Sequence, residues 1–175
     1  AMADLASAIA PTKDVDGVNP LSLGRLTAGL TAFAPATAEA VVRLLDYHGI
    51  EIAGRHAVVV GRSTVVGKPA ALLLLARNAT VTMCHSGTRD LTAHTQRADI
   101  LVAAVGKAGL LTADHVSANT AVIDVGTNPT PDRGLVGDVD SAVAKRVAAI
   151  TPVPGGVGPV TTALLLQHTV EAAEG

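Results

Sequence analysis

The segment Gly61-Arg62-Ser63-Thr64-Val65-Val66-Gly67-Lys68-Pro69 stands between an unbroken apolar run, AVVVG at 57–61, and a stretch dominated by Ala and Leu. A strand-to-helix junction of this kind exposes backbone amides at a helix N-terminus, where partial positive charge favours an anion. Gly61 permits a tight exit from the strand, and Ser63 offers its hydroxyl to a phosphate oxygen. Arg62 can pair bidentately with a 2'-phosphate if a dinucleotide lies across the loop. The spacing is not Gly-x-Gly-x-x-Gly, and an ordinary turn with a surface arginine would read the same way.

Five other clusters carry side chains or turns suited to chemistry. In Cys84-His85-Ser86-Gly87-Thr88 the hydroxyls of Ser86 and Thr88 suit a ribose or its phosphate. Cys84 and His85 are neighbours on a strand and so point to opposite faces, which argues against a nucleophile–base pair. Cys84 reads as core filler, while His85 stays open. Ala103-Ala104-Val105-Gly106 and Asp124-Val125-Gly126-Thr127 each place a glycine where a strand should end, letting backbone approach a ligand closely. Turn glycines without a ligand explain either one equally well. Lys13-Asp14-Val15-Asp16-Gly17 sets two carboxylates at alternate positions, a pattern shared with any exposed turn. Pro152-Val153-Pro154-Gly155-Gly156-Val157-Gly158-Pro159 is a rigid, close-approach loop ahead of a helix, suited to a planar ligand or a carboxylate.

The elements that must position these clusters alternate in type. After the run at 57–61, residues 66–78 suit a helix, 80–84 (TVTMC) a strand, and 90–97 a short polar helix. Residues 100–105 (ILVAAV) and 121–125 (AVIDV) read as central parallel strands, with a further strand near 148–151 and a helix over 160–174. Upstream, Thr37 offers an N-cap to a helix over 38–48, and Gly49 stands where it should stop. Strand and helix in alternation predict an α/β fold, a Rossmann-like doubly wound and mostly parallel sheet, in a single domain over 1–175.

Composition narrows the partners. Of 175 residues 49% are hydrophobic but only 1% aromatic, so the core must be aliphatic. A formal charge of -2 without a basic cluster, and with few stacking rings, argues against nucleic acid. The longest apolar run, 70–76, falls far short of the ~20 residues that cross a bilayer, so no membrane partner is expected. A lone cysteine fits a reducing cytoplasm. No metal site is expected.

In this order, KDVDG, VVVGRSTVVGKP, CHSGTRDL, ADILVAAVGKAG, IDVGTN, VGDVD and TPVPGGVGPVTTALLL closely resemble the bifunctional methylenetetrahydrofolate dehydrogenase/methenyltetrahydrofolate cyclohydrolase family. The resemblance runs from about Ile9 onward and implies that NADP is the cofactor in preference to NAD. It implies cofactor contacts from Gly61, Arg62 and Ser63, from Ser86 near the adenosine phosphate and from Thr127 near the nicotinamide. Asp16 would face the pterin of a tetrahydrofolate derivative, as both substrate-binding and catalytic residue. Pro154, Gly155, Gly156, Val157, Gly158, Pro159, Val160 and Thr161 would line the folate cleft. The implied chemistry passes a hydride from 5,10-methylenetetrahydrofolate to NADP, after which water opens the methenyl product to 10-formyltetrahydrofolate, a one-carbon donor for purine biosynthesis.

Members of that family also carry an amino-terminal domain with a Tyr-x-x-x-Lys element, whose lysine works near the reacting carbon, and a Gln-x-Pro-x-Pro segment before KDVDG. Neither occurs here: the only tyrosine is Tyr47, with Glu51 four residues on. The chain alone is therefore expected to be weakly active or inactive, with residues 1–35 and 160–174 packing towards the missing domain of a parent that forms a homodimer. Three smaller departures stand out. Residues 34–38 (APATA) replace a usual Pro-Cys-Thr-Pro, Ala108 replaces a proline, and Gly87 replaces a commonly basic residue, which leaves Arg62 to balance a 2'-phosphate. A stand-alone NADP-binding module with a regulatory or partner-binding role is the competing reading. A generic dehydrogenase using His85, His94 or His115 ranks below both.

Overall fold

The computed structural model describes residues 2–132 and 134–174. Three helices precede the sheet: α1 (Met2–Ala8), α2 (Pro20–Thr27) and α3 (Ala36–Tyr47). Strands and helices then alternate as β1 (His56–Val60), α4 (Gly67–Ala76), β2 (Thr80–Cys84), α5 (Leu91–Thr95), β3 (Ile100–Ala103) and β4 (Ala121–Asp124). A small hairpin, β5 (Asn128–Thr130) with β6 (Gly134–Val136), is followed by β7 (Ala149–Ile150) and the long α6 (Val157–Glu174).

Five strands form one sheet in the order β2-β1-β3-β4-β7, and every pairing is parallel. The chain moves from β1 outward to β2 and then returns to place β3 on the other side of β1. The strand order thus reverses between β1 and β3, and at that point the loops leaving the strand ends diverge to open a crevice. This is the α/β, doubly wound, Rossmann-like architecture that the alternating pattern predicts.

Alternation along the strands divides the core in two. Ala57, Val59, Ile100, Val102 and Ile123 face α3, α4 and α6, while Val58, Val60, Leu101, Ala103 and Val122 face the opposite layer with Leu111 and Val143. A strand buried on both faces has no polar side to show, which is why these stretches read as continuous apolar runs. Each Val or Leu fully buried there contributes roughly 1.5–3 kcal/mol. Small side chains let the two long helices approach closely: α3 buries Ala36, Ala38 and Ala40, and α6 turns Leu164, His168 and Ala172 inward.

Three boundaries differ from the sequence pattern for identifiable reasons. Helix α3 begins at Ala36, and Thr37 is not its cap; Pro35 holds the cap position without a side-chain bond, and the Ala36 amide donates instead to Asp16 Oδ1 at 3.0 Å. Helix α6 begins at Val157, since Pro159 in its first turn has no amide to waste and sits easily there. The β5–β6 hairpin has no counterpart in the expected elements, because three-residue strands around Pro131 and Asp132 are too short to show a period.

Candidate functional site

At the carboxyl end of β1, Gly61 has φ of 129°, and a Cβ built there would lie 2.1 Å from the Ala104 carbonyl oxygen. Only glycine lets the β1 and β3 exits touch. The loop then folds back on itself: Ser63 Oγ accepts hydrogen bonds from the amides of Val66 (3.1 Å) and Gly67 (3.3 Å), so this hydroxyl caps the start of α4. With its oxygen accepting two bonds, this hydroxyl keeps its proton to donate, the polarity that a phosphate oxygen requires. Arg62 is exposed beside it and, among the described residues, makes no ion pair.

The β2 exit is tied internally. The His85 amide donates to Thr88 Oγ1 at 2.8 Å, and the Gly87 amide donates to His85 Nδ1 at 3.0 Å. Thr88 is therefore spent on its own turn, while Ser86 stays exposed at its tip. Cys84 is fully buried, and burial pushes its thiol above the usual cysteine range, with a partial offset from a hydrogen bond to Thr88. A neutral buried thiol is a poor nucleophile, in keeping with Cys84 as core filler. Of the other histidines considered, His94 is exposed on α5 and His115 caps a short 3-10 turn by accepting from the Thr112 amide. Among the described residues neither makes a hydrogen bond or ion pair with a carboxylate.

Two buried carboxylates that the sequence reading passed over organise the β3 and β4 exits. Asp124, the last residue of β4, accepts from the amides of Gly126 (2.9 Å), Asp138 (3.0 Å) and Val139 (3.0 Å). Asp138 in turn accepts from the amides of Val105 (2.6 Å), Gly106 (2.9 Å) and Lys107 (2.8 Å). The Gly106 amide, expected to face a ligand, is consumed by this carboxylate. The two loops interlock so closely that a Cβ on Gly137 would meet Asp124 Oδ2 at 1.8 Å. An aspartate closing the apolar run AVID was the signal, since a charge at the end of a buried strand needs partners.

Burial pushes the Asp124 carboxyl above its ordinary value of 3.8, more than the amide bonds from Asp138, Val139 and Gly126 pull it down. The folded state then holds this proton more tightly than the unfolded chain. The stabilising contribution is complete below pH 3.8 and is lost as the pH rises through the raised folded value. Urea unfolding at a series of pH values is expected to show the stability difference, wild type minus Asp124→Asn, falling as the pH rises through this window. A flat or rising difference would show that burial does not govern Asp124.

Beyond β4, Thr127 and the loop 152–158 wall a cleft of about 520 Å³, whose lining also takes in Asp124, Leu135, Thr37, Val66 and Thr161. The cleft thus brings Thr127 together with Pro154, Gly155, Gly156, Val157, Gly158, Pro159 and Thr161, and Val66 carries it to the edge of the β1 loop. Val160 departs from this group. One step of about 100° round α6 turns it onto the apolar layer with Leu164, where it lines an adjoining crevice with His48 and Ile50. The peptide bond between Val153 and Pro154 is cis.

Asp16 and Asp14 play different parts. Asp14 is buried and satisfied by Val18, Asn19 and Ser22, which makes it a local brace. Asp16 uses one oxygen at the start of α3, next to Thr37 of the cleft wall, and remains partly exposed. Its segment is pinned from the far end of the chain: Val15 O meets His168 Nδ1 at 2.7 Å, and Lys13 Nζ donates to Ala172 O. His168 is buried, with Nε2 3.2 Å from Glu39 Oε2 and its ring 5.0 Å from that of Phe33. A histidine on the inner face of α6 gave no sequence signal beyond its helical phase.

A strand-order reversal, a glycine exit closed on its neighbour and an exposed loop leading into a helix start define a Rossmann-type dinucleotide-binding domain. The model of the family "Tetrahydrofolate dehydrogenase/cyclohydrolase, NAD(P)-binding domain" matches residues 35–175. The chain belongs to this family, as its NAD(P)-binding domain. It is 70% identical over 171 residues to bifunctional protein FolD 1 of Saccharopolyspora erythraea, covering 97% of this chain and 58% of that protein. The crystal structure of the bifunctional enzyme FolD, a methylenetetrahydrofolate dehydrogenase/cyclohydrolase from Campylobacter jejuni, superposes with a TM-score of 0.96 at 43% identity, over 99% of this chain and 62% of that one. The Trypanosoma brucei enzyme, complexed with NADP cofactor and inhibitor, gives 0.92 at 42%, over 99% and 62%. Among the described residues no helix is long and apolar enough to cross a membrane.

Proposed function

We propose that this chain is the cofactor half of a bifunctional enzyme that oxidises 5,10-methylenetetrahydrofolate to the methenyl form and hydrolyses that to 10-formyltetrahydrofolate. The observation that carries the reading is the continuity of the β1 loop, through Val66, with the cleft between Thr127 and residues 152–158. A dinucleotide laid along this edge would put its adenosine phosphates at Arg62, Ser63 and Ser86 and its nicotinamide at Thr127, facing the Pro154–Thr161 wall. NADP, when bound, supplies the hydride acceptor.

The residues of this chain would bind and orient. The free oxygen of Asp16 suits the amino and ring N–H groups of a pterin, fixing the one-carbon unit against the cofactor. The rigid proline–glycine wall would hold the planar ring and keep out bulk water. Proton handling is a different matter, because the cleft lining contains no lysine, histidine or tyrosine. We assign that task to an amino-terminal domain corresponding to the family's Tyr-x-x-x-Lys element, in a homodimeric, cytoplasmic parent.

Cofactor choice gives a direct test. With Gly87 in place of a basic residue, Arg62 is the cation we assign to a 2'-phosphate at this loop, with exposed Lys68 in the first turn of α4 and exposed Arg89 further along the β2 exit. Arg62→Ala is expected to weaken NADP about tenfold or more while changing NAD less than about threefold, by calorimetric titration. Equal losses would show that Arg62 does not read the 2'-phosphate. No binding of either nucleotide to the wild-type chain would overturn the whole assignment.

A further inference from the structure

Asp138 is fully buried, yet its carboxylate accepts four hydrogen bonds. Three come from consecutive amides, Val105 to Lys107, which wrap the anion in a backbone nest. The fourth comes from Asn128 Nδ2 at 2.9 Å, at the start of the β5–β6 hairpin. Through its own amide Asp138 also reaches Asp124 of β4. One side chain therefore binds the β3 exit to the hairpin and, by one further bond, to the end of β4. It does not line the cleft, so it acts on a ligand only through what it holds.

We propose that Asp138, supported by Asn128, is a positioning residue for the nicotinamide half of the dinucleotide. It fixes the loop 105–107 and the hairpin beside Thr127 at the height where that half must pass from β3 to β4. This inference rests on the NAD(P)-binding reading of the cleft. The adenosine half would lie on loops that Asp138 does not bond: the β1 loop is held by Ser63 and the β2 loop by Thr88 and His85, and the packing of Gly61 on Ala104 is backbone contact that the carboxylate does not make. Losing the carboxylate should therefore separate the two halves of the ligand. In Asp138→Asn the amide nitrogen would turn donors towards backbone donors, leaving part of the nest unpaired.

The test is equilibrium titration of the 175-residue chain with NADP and with adenosine 2',5'-bisphosphate, with circular dichroism to verify folding. Asp138→Asn is expected to bind NADP about tenfold more weakly, with adenosine 2',5'-bisphosphate within about twofold of wild type. Asn128→Ala removes two bonds of a partly exposed residue, one to Asp138 and a longer one to Val136 O within the hairpin, and should shift NADP alone, by about threefold. Equal loss for both ligands, or unchanged NADP affinity in a folded variant, overturns the proposal. If Asp138→Asn does not fold, Asn128→Ala decides by the same criterion. If wild type binds adenosine 2',5'-bisphosphate and NADP equally tightly, the nicotinamide half contributes nothing and Asp138 has no such role. If it binds neither, the cleft assignment itself fails.

Discussion

Gly61→Ala is expected to abolish measurable dinucleotide binding and to lower stability by about 3 kcal/mol or more. Two costs add. An alanine at φ of 129° is strained by about 1–3 kcal/mol wherever it stands. Its Cβ would also fall 2.1 Å from the Ala104 carbonyl oxygen, backbone that no rotamer change can move aside. Relief requires the β1 and β3 exits to separate, at the point where the strand order reverses and where we propose that the phosphates sit. The strands behind Gly61 remain buried, so the variant should retain most of its secondary structure while the loop moves. Urea unfolding and nucleotide titration read the two effects separately. Near-wild-type affinity in this variant would mean that the cofactor does not lie over this exit.

The second large effect concerns turnover. The chain alone should show no reduction of NADP with 5,10-methylenetetrahydrofolate, whereas joining it to the amino-terminal region of its 70% identical relative should raise the rate by about 10³-fold or more. The physical ground is the cleft's lining, which offers hydroxyls, amides, apolar surface and one carboxylate, Asp124, already held by three backbone amides, but no lysine, histidine or tyrosine. Groups that act as one catalytic unit lose most of their effect when one is removed, so partial activity in proportion to chain length is not expected. A fast reaction by the isolated chain would refute this division of labour. A folded, NADP-binding fusion without turnover would instead point to the stand-alone nucleotide-binding role.

Much of the architecture was legible before any coordinates. Val58 to Val60, Leu101 to Ala103 and Val122 to Ile123 are apolar because both faces of a parallel strand are covered, so the sheet's strands announce themselves as runs. Loops that close on backbone were equally readable, since a glycine at Gly61 or the proline–glycine alternation at 152–159 marks chain geometry directly. Helix starts were read less well. Thr37 has the right chemistry for a cap, but the bond went to Asp16, twenty residues earlier, and nothing local reports that.

What the sequence determined by itself is the class of the sheet, the order of its elements and the family, because these follow from periodicity and from short motifs in fixed succession. Only the tertiary structure decided which carboxylates are buried as braces, Asp14, Asp124 and Asp138, and which one, Asp16, stays partly exposed. Asp14, Asp16, Asp124 and Asp138 are the same residue type, and three of them lie in similar Asp-Val contexts. Their roles diverge because a carboxylate takes whichever amides folding brings within about 3 Å: Asp14 finds its amides within five residues, whereas Asp16, Asp124 and Asp138 take amides from segments far along the chain.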